Sequence, residues 1–404
     1  MLSVKEAQEK VINSKVTIKP KKATILESLH YVLAEELVSK DFIPAFDNSA
    51  VDGYAVKAID ILGAEKNYPV KLKLFKEDIP AGKSSSFSLE PGMCIQIMTG
   101  APIPQGCDCV VMKEDALKEG KDVLVFRECR QGENIRYKGE DVSQGDIVLK
   151  KGSKIYPADI GLMASVGISE ITINTPPLVG VISTGDELID VGQNLAFGKV
   201  RDSNSYSLAA QIIESGAQYK RYGIVPDDKP SIKKKIMEGL QQCDILILTG
   251  GVSVGDYDFV KEILDDIGAE FVFWRVNQKP GKPLAFLTYK DRFIFGLPGN
   301  PVSVMICFEM YVRPLIKRFM GDKNLFRDKI QARALEDYDH IEGRTDFVRV
   351  YLENTEDGIY FKHTGMQGSG ILTSMSVADG IAVFPEDRGK IEKDSIIDVI
   401  TVKR

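Results

Sequence analysis

The segment from Leu178 to Ser303 constrains this chain more than any other. Four short apolar runs there each end in a loop rich in glycine, carboxylate or proline. Leu178–Ile182 leads into Ser183-Thr184-Gly185-Asp186-Glu187, and Tyr222–Val225 into Pro226-Asp227-Asp228. Ile245–Leu248 leads into Thr249-Gly250-Gly251-Val252-Ser253-Val254-Gly255-Asp256-Tyr257-Asp258. Phe293–Leu297 leads into Pro298-Gly299-Asn300-Pro301-Val302-Ser303. Helical patterns separate the runs, at roughly Ser205–Ser215, Lys229–Gln241, Phe259–Ile267 and Val302–Met320. This alternation predicts a parallel sheet with helices on both faces. Ligands of such sheets bind beyond the carboxyl ends of the strands, where all four loops would gather.

The flanks read differently. Apolar spacing predicts a helix over Ser3–Ile12 with Ser3 as its N-cap, and a second over Thr24–Ser39 on Ile25, Leu26, Leu29, Val32, Leu33 and Leu37. Asp47, Asn48, Ser49 and Asp52 then crowd a loop held by apolar residues at both ends, a pattern that also suits a simple Asx-type turn. Val70–Arg136 is dense in short strand-like runs punctuated by glycine and proline, which predicts an inserted β domain. Within it, Thr99 ends a strand in a tight turn. A helix is expected over Pro157–Ala164, and Thr175-Pro176-Pro177 reads as a stiff linker. After Gly321, five short strand patterns predict a C-terminal β barrel or sandwich. The expected domains are 1–45 with 138–175 (helical and mixed), 46–137 (inserted β), 176–325 (α/β) and 326–404 (β barrel).

A chain of 404 residues is long for one core, in keeping with several domains. Its net charge of −6 argues against a nucleic-acid partner. No apolar run is long enough to span a bilayer, and the charged N-terminus is no signal peptide. None of the six cysteines forms a CxxC pair, so buried reduced thiols in a cytoplasmic protein are expected rather than zinc. Ala81-Gly82-Lys83-Ser84 resembles a phosphate loop, but Glu77 stands where the motif needs its first glycine.

The loops carry the chemistry. Thr249-Gly250-Gly251 after a strand lets backbone amides approach an anion. Glu187, Asp227, Asp228, Asp256 and Asp258 would crowd one sheet edge. Such a cluster repels itself unless a cation shares it, and Mg²⁺ is the natural cation for hard oxygen ligands beside a phosphate. A single carboxylate there would serve instead as a helix N-cap. Lys279-Pro280-Gly281-Lys282-Pro283 fixes two lysines between prolines. The three histidines lie outside every loop named. Metal-assisted phosphoryl or nucleotidyl chemistry is therefore favoured over histidine acid–base chemistry.

Seven segments in this order carry a resemblance: Asp47 to Ala55 (DNSAVDGYA), Met98 to Pro102 (MTGAP), Gly139-Glu140-Asp141, Ser183 to Leu188 (STGDEL), Thr249 to Gly255 (TGGVSVG), Lys279 to Pro283 (KPGKP) and Leu297 to Ser303 (LPGNPVS). Together they resemble the molybdopterin molybdenumtransferases of the bacterial MoeA type, related to the gephyrin E domain. Val51 stands where many relatives carry methionine. The resemblance implies a homodimer with active sites shared between subunits. It implies hydrolysis of adenylylated molybdopterin with release of AMP, and entry of molybdate-derived molybdenum into the dithiolene. Functional weight falls on Asp52, Thr99, Asp141, Glu187, Asp228, Asp258, Pro298 and Pro301. Glu187, Asp228 and Asp258 would hold Mg²⁺, while Asp52 and Asp141 would act from the partner side. Thr184, Gly185, Asp186, Gly250, Gly251, Ser253 and Gly255 would cradle pterin and phosphates. Lys279, Lys282, Ser303 and Arg344 would take molybdate, since a tetrahedral dianion wants cations and hydroxyls. A molybdopterin adenylyltransferase and molybdoenzyme-maturation proteins are the implied neighbours in the pathway.

Two rival readings share part of the evidence. The adenylyltransferase has the same α/β domain and glycine loop, but not the Asp-Gly-Tyr-Ala loop and added domains. A gephyrin-like docking module would have no need to keep Asp52, Glu187, Asp228 and Asp258.

Overall fold

The computed structural model describes residues 1–75, 78, 79, 82, 88–250 and 259–402. Gly251, Ser253, Gly255, Asp256 and Asp258 lie outside the described residues, as do Ala81, Lys83 and Ser84 of the phosphate-loop look-alike.

The central sheet has six strands: β1 (Leu178–Thr184), β2 (Gln218–Val225), β3 (Ile245–Thr249), β4 (Glu270–Trp274), β5 (Ala285–Tyr289) and β6 (Arg292–Leu297). Their spatial order is β2-β1-β3-β6-β5-β4. The four runs read from the sequence form the parallel part, β2, β1, β3 and β6. An antiparallel extension, β5 and β4, completes the sheet and was not read from the sequence. All five residues of β3 are buried, as a strand covered on both faces requires. Its side chains alternate between two cores. Ile245 and Ile247 face a core with Leu208, Ile212, Leu315 and Phe319. Leu246 and Leu248 face another with Ile232, Ile236 and Ile263.

Local chemistry sets the helix boundaries. Helix Lys229–Gln242 begins at Asp228, whose carboxylate accepts from the Ser231 N–H at 2.9 Å, with Pro230 in the first turn. The helix expected over Val302–Met320 is interrupted. It runs as Pro301–Cys307, a π-helical turn at Phe308–Val312, then Arg313–Met320. Pro314 lacks an N–H and its ring crowds the carbonyl one turn back, which accounts for the widened turn. Gly321, at φ 71°, ends the helix. The N-terminal helix Val4–Ile12 has the expected cap: Ser3 and Glu6 form a capping box, and Val4, Ala7 and Val11 join the Leu315 and Phe319 core.

The helix expected over Thr24–Ser39 does not form. Pro20–Thr24 is a strand antiparallel to Glu170–Asn174, residues 25–30 turn, and His30 takes a left-handed φ of 69°. Beyond it, Val32 and Leu33 bridge to Lys154 and Ile173. Leu33 and Leu37 bury against Ile155, Met163, Ile171 and Ile173. Apolar residues three and four apart suit a helix, but here the partners are strands more than a hundred residues away.

The inserted region forms a second six-stranded sheet from Gly53–Val56, Val70–Leu74, Met93–Ile97, Cys109–Met112, Ala116–Glu119 and Asp122–Val125. The last region closes on itself. Thr345–Thr355, Gly358–His363, Lys329–Ala334, Ile396–Thr401 and Gly380–Phe384 pair in a ring, completed by Thr345–Thr355 against Gly380–Phe384. A barrel was one of the two expected outcomes. Among the described residues, no helix is long and apolar enough to cross a membrane.

Candidate active site

Strand order reverses between β1 and β3, so the crevice at their carboxyl ends is the topological switch point. Gly250 leaves β3 there at φ 87°, and a Cβ on it would lie 2.2 Å from the Thr184 carbonyl oxygen. Only glycine fits both the angle and the space. Asn204 Nδ2 donates to Thr249 Oγ1 at 3.2 Å and to the Gly299 carbonyl at 2.8 Å, tying the loops after β3 and β6 to one helix start. Beneath them, buried Asp202 accepts from Ser183 Oγ at 3.0 Å, Ser205 Oγ at 2.6 Å and Arg221 Nη2 at 3.2 Å. Arg221 also grips Asp190 through both terminal nitrogens, which holds that carboxyl far below its usual range. Sequence reasoning missed this support; the polar triplet Asp202-Ser203-Asn204 at a helix start was its available signal. Asp202→Ala should cost about 3 kcal/mol, since it strips a buried carboxylate from Arg221 and two hydroxyls; urea unfolding measures it.

The acidic loops meet as pairs. Asp186 N–H donates to Asp227 Oδ2 at 3.4 Å, and Asp227 N–H donates back to Asp186 Oδ1 at 3.1 Å. Burial, then repulsion from Asp186 and Glu187, push the Asp227 carboxyl above its usual range. Asp228 turns instead to its helix as the N-cap, the simpler of the two roles weighed for such a carboxylate. Gly185 is needed beside Glu187: at φ 148°, its Cβ would lie 2.6 Å from Glu187 Oε2. Among the described residues, no three of His, Cys, Asp and Glu converge closely enough to hold a metal ion.

The lysine loop is clamped from behind. Gln278 and Lys279 pair in parallel with Thr345 and Asp346, the start of a barrel strand, which draws Arg344 beside the loop. Buried Gln278 donates to the Pro280 carbonyl at 3.0 Å, and its own carbonyl accepts from the buried Tyr311 hydroxyl. Gly281, at φ 94°, sits so close that a Cβ would lie 2.5 Å from Cys307 Sγ. Lys279 and Lys282 point outward without an ion pair among the described residues. They share a cavity of 710 Å³ with Pro298, Ser303 and Arg344. Arg344 is partly committed, giving Nε to Asp346 Oδ1 at 2.7 Å and Nη2 to Oδ2 at 3.1 Å. Gln367, Gly368 and Ser369 form the remaining wall and were missed. Ser369 accepts from Asn300 Nδ2 at 3.0 Å, and its carbonyl from the Val302 N–H at 3.0 Å. Fully buried Arg349, lowered to about 10 by burial, holds the Gly368 carbonyl at 3.2 Å. The signal for this wall was the glycine-dense run Gly365 to Gly370. Pro301 opens the helix that carries Ser303.

Asp52 and Thr99 meet in the inserted β region. Asp52 Oδ1 accepts from both the N–H and the hydroxyl of Thr99, each at 2.8 Å. These two bonds hold the Asp52 carboxyl below its usual range, with Lys113 a lesser influence. Asp141 lies on an exposed turn fastened to Ile43 through its own N–H. Among the described residues, no hydrogen bond or ion pair joins Asp52, Thr99 or Asp141 to the crevice or the lysine loop.

An α/β domain with its crevice at the topological switch point, joined to three further β-rich parts, defines the class. Residues 180–318 match the family described as the probable molybdopterin binding domain. Residues 2–167 match the MoeA N-terminal region (domain I and II), and residues 331–402 the MoeA C-terminal region (domain IV). The molybdopterin molybdenumtransferase of Staphylococcus aureus (strain MRSA252) is 33% identical over 399 residues, covering 99% of this chain and 95% of that protein. The Staphylococcus epidermidis enzyme matches equally well. The crystal structure of the molybdopterin biosynthesis MoeA protein from Pyrococcus horikoshii OT3 superposes with a TM-score of 0.86 at 30% identity, over 99% of this chain and 100% of that one. The chain belongs to the MoeA-type molybdopterin molybdenumtransferases, transferases of molybdenum cofactor biosynthesis whose substrates are molybdate and molybdopterin.

Proposed function

We propose that the chain hydrolyses adenylylated molybdopterin, releases AMP and passes molybdate-derived molybdenum to the dithiolene, with Mg²⁺ required. The observation that carries this reading is the shared cavity of Lys279, Lys282, Ser303 and Arg344. Two ammonium groups with no ion pair among the described residues, a hydroxyl and a guanidinium are the donors a tetrahedral dianion needs. Gly250 and its neighbours would receive pterin and phosphate at the switch point. Glu187 and Asp258 would hold Mg²⁺, with Asp186 and Asp227 beside them, and Asp228, whose Oδ1 caps its helix, would offer only its other oxygen. The donor set fits: it is all hard oxygen, and Asp227 sits among like charges that a cation would relieve. When bound, Mg²⁺ would neutralise phosphate charge and polarise the anhydride. Asp52, kept ionised by Thr99, would orient the attacking water, and Asp141 would support it. Pro298 would wall the oxyanion, and Pro301 would set the start of the helix that carries Ser303.

We further propose a homodimer in which Asp52, Thr99 and Asp141 of one subunit serve the crevice of the other. That no hydrogen bond or ion pair among the described residues joins these groups to the crevice within one chain supports this. An adenylyltransferase would supply the substrate, and molybdoenzyme-maturation proteins would receive the product.

The test is anaerobic incubation with adenylylated molybdopterin, molybdate and Mg²⁺, following AMP by chromatography. No AMP release here, with consumption of ATP in a parallel incubation supplied with ATP and molybdopterin, would favour the adenylyltransferase reading. A well-folded dimer that never releases AMP would favour a docking module. Thr99→Val should shift the acid limb of the pH–rate profile upward. Asp52 loses a donor that stabilises its ionised form, so it takes up a proton at higher pH. An unmoved limb would remove Asp52 from the rate-determining ionisation.

A further inference from the structure

A second basic cavity, lined by residues other than those of the lysine loop, has no part in the reaction described above. It encloses 340 Å³ where three regions meet. Lys154 enters just ahead of helix Pro157–Ser165, Arg313 and Lys317 lie one turn apart on helix Arg313–Met320, and Thr401 ends the last barrel strand. Lys317 is only 5% exposed, an unusual place for a lysine. Among the described residues its one ion pair is with Asp322 at 3.6 Å, longer than a hydrogen bond, and Asp322 already accepts from the Asn324 N–H. Arg313 Nη1 donates to Ser215 Oγ at 3.3 Å, but its buried Nε has no hydrogen-bond partner among the described residues. Its nearest carboxylate oxygen, on Glu309, is 3.5 Å away, and Arg327 Nε takes both Glu309 oxygens at 2.9 Å. Arg327 also takes Glu214 at 2.6 Å. Asp328 faces the space as well. Glu309 and Glu214 are thus taken up by Arg327, and among the described residues Arg313 Nε has no acceptor, Lys317 has only the distant Asp322, and Lys154 has no ion pair.

We propose that this cavity binds a small tetrahedral oxyanion, of the phosphate, sulfate or molybdate class, between Lys154, Arg313 and Lys317. Three buried or half-buried cations with unused donors match such an ion in charge and in hydrogen-bonding need. The volume leaves room for the ion and several waters. Burial, then repulsion from Lys154 and Arg313, lower the Lys317 ammonium to about 8 despite Asp322. An anion among them would relieve both effects. Because its donors come from separate regions, the ion would also fasten helix Arg313–Met320 to the segment that carries Lys154.

The test uses the full chain carrying Lys279→Ala and Lys282→Ala, so that the proposed substrate pocket no longer competes. Inorganic phosphate and, separately, molybdate are titrated calorimetrically at constant ionic strength. Saturable binding of either ion is expected, weakened about tenfold or more by Lys154→Met or Lys317→Met, each of which removes a charge-assisted contact. The ion that binds more tightly in the parent identifies which oxyanion the site serves. The bound ion should also raise the Tm of the parent but not that of Lys154→Met. Lys154 is half-buried on the rim, so that variant keeps the test open should Lys317→Met fail to fold. No saturable binding of either ion, or binding undiminished by Lys154→Met, would overturn the proposal.

Discussion

The double substitution Lys279→Ala with Lys282→Ala is expected to lower kcat/KM for molybdate by about 10²- to 10⁴-fold. Each charge-assisted contact contributes about 1.5–3 kcal/mol, and each 1.4 kcal/mol is a factor of about ten. Because both lysines would bind the oxyanion before and during the reaction, most of the loss should lie in KM. Stability should change little, since both side chains are exposed and neither has an ion pair among the described residues. Arg344→Ala should cost less, because Asp346 already occupies two of its donors. Initial rates of AMP release across a molybdate series separate these outcomes. An unchanged KM in the double variant would take molybdate out of this cavity.

The clamp behind that loop explains why its lysines could be recognised from sequence and its precision could not. Prolines flanking Lys279 and Lys282 announce a fixed loop. Nothing near them announces Tyr311 or Cys307, which reach Gln278 and Gly281 from a helix some thirty residues later. The parallel strands were legible for a local reason: a strand buried on both faces must be continuously apolar. The antiparallel pair β4 and β5 was less so, as Phe271, Trp274, Thr288 and Tyr289 are only partly buried. The segment after Thr24 misled because its apolar spacing satisfies a helix, whereas its partners at Lys154 and Ile173 are distant in sequence. Asp227 and Asp228 show the same limit within a site. Two adjacent carboxylates are interchangeable on paper, yet one caps a helix while the other faces Asp186 and Glu187. That distinction depends on where the strand ends and the helix starts, which residue type alone does not specify.

Asp52→Ala should reduce AMP release by about 10²- to 10⁴-fold, the range expected for a positioned acid–base group, while unfolding stays near that of the parent. Its side chain is half exposed and, among the described residues, its bonds reach only Thr99 and, loosely, Lys113. The larger consequence concerns which chain it serves. In the proposed two-fold dimer each active site takes Asp52 from one subunit and the lysine loop from the other. Mixing Asp52→Ala with the Lys279→Ala, Lys282→Ala double variant, at molybdate far below the latter's raised KM so that each is nearly inactive alone, should then restore activity. Random exchange makes about half the dimers mixed, and each mixed dimer has one intact site and one doubly damaged site, so about a quarter of the parent rate should return. Native mass spectrometry gives the fraction of mixed dimers directly. Mixed dimers that form in that proportion yet recover no AMP release would mean that Asp52 does not act across the interface, and the shared-site mechanism would fall with it.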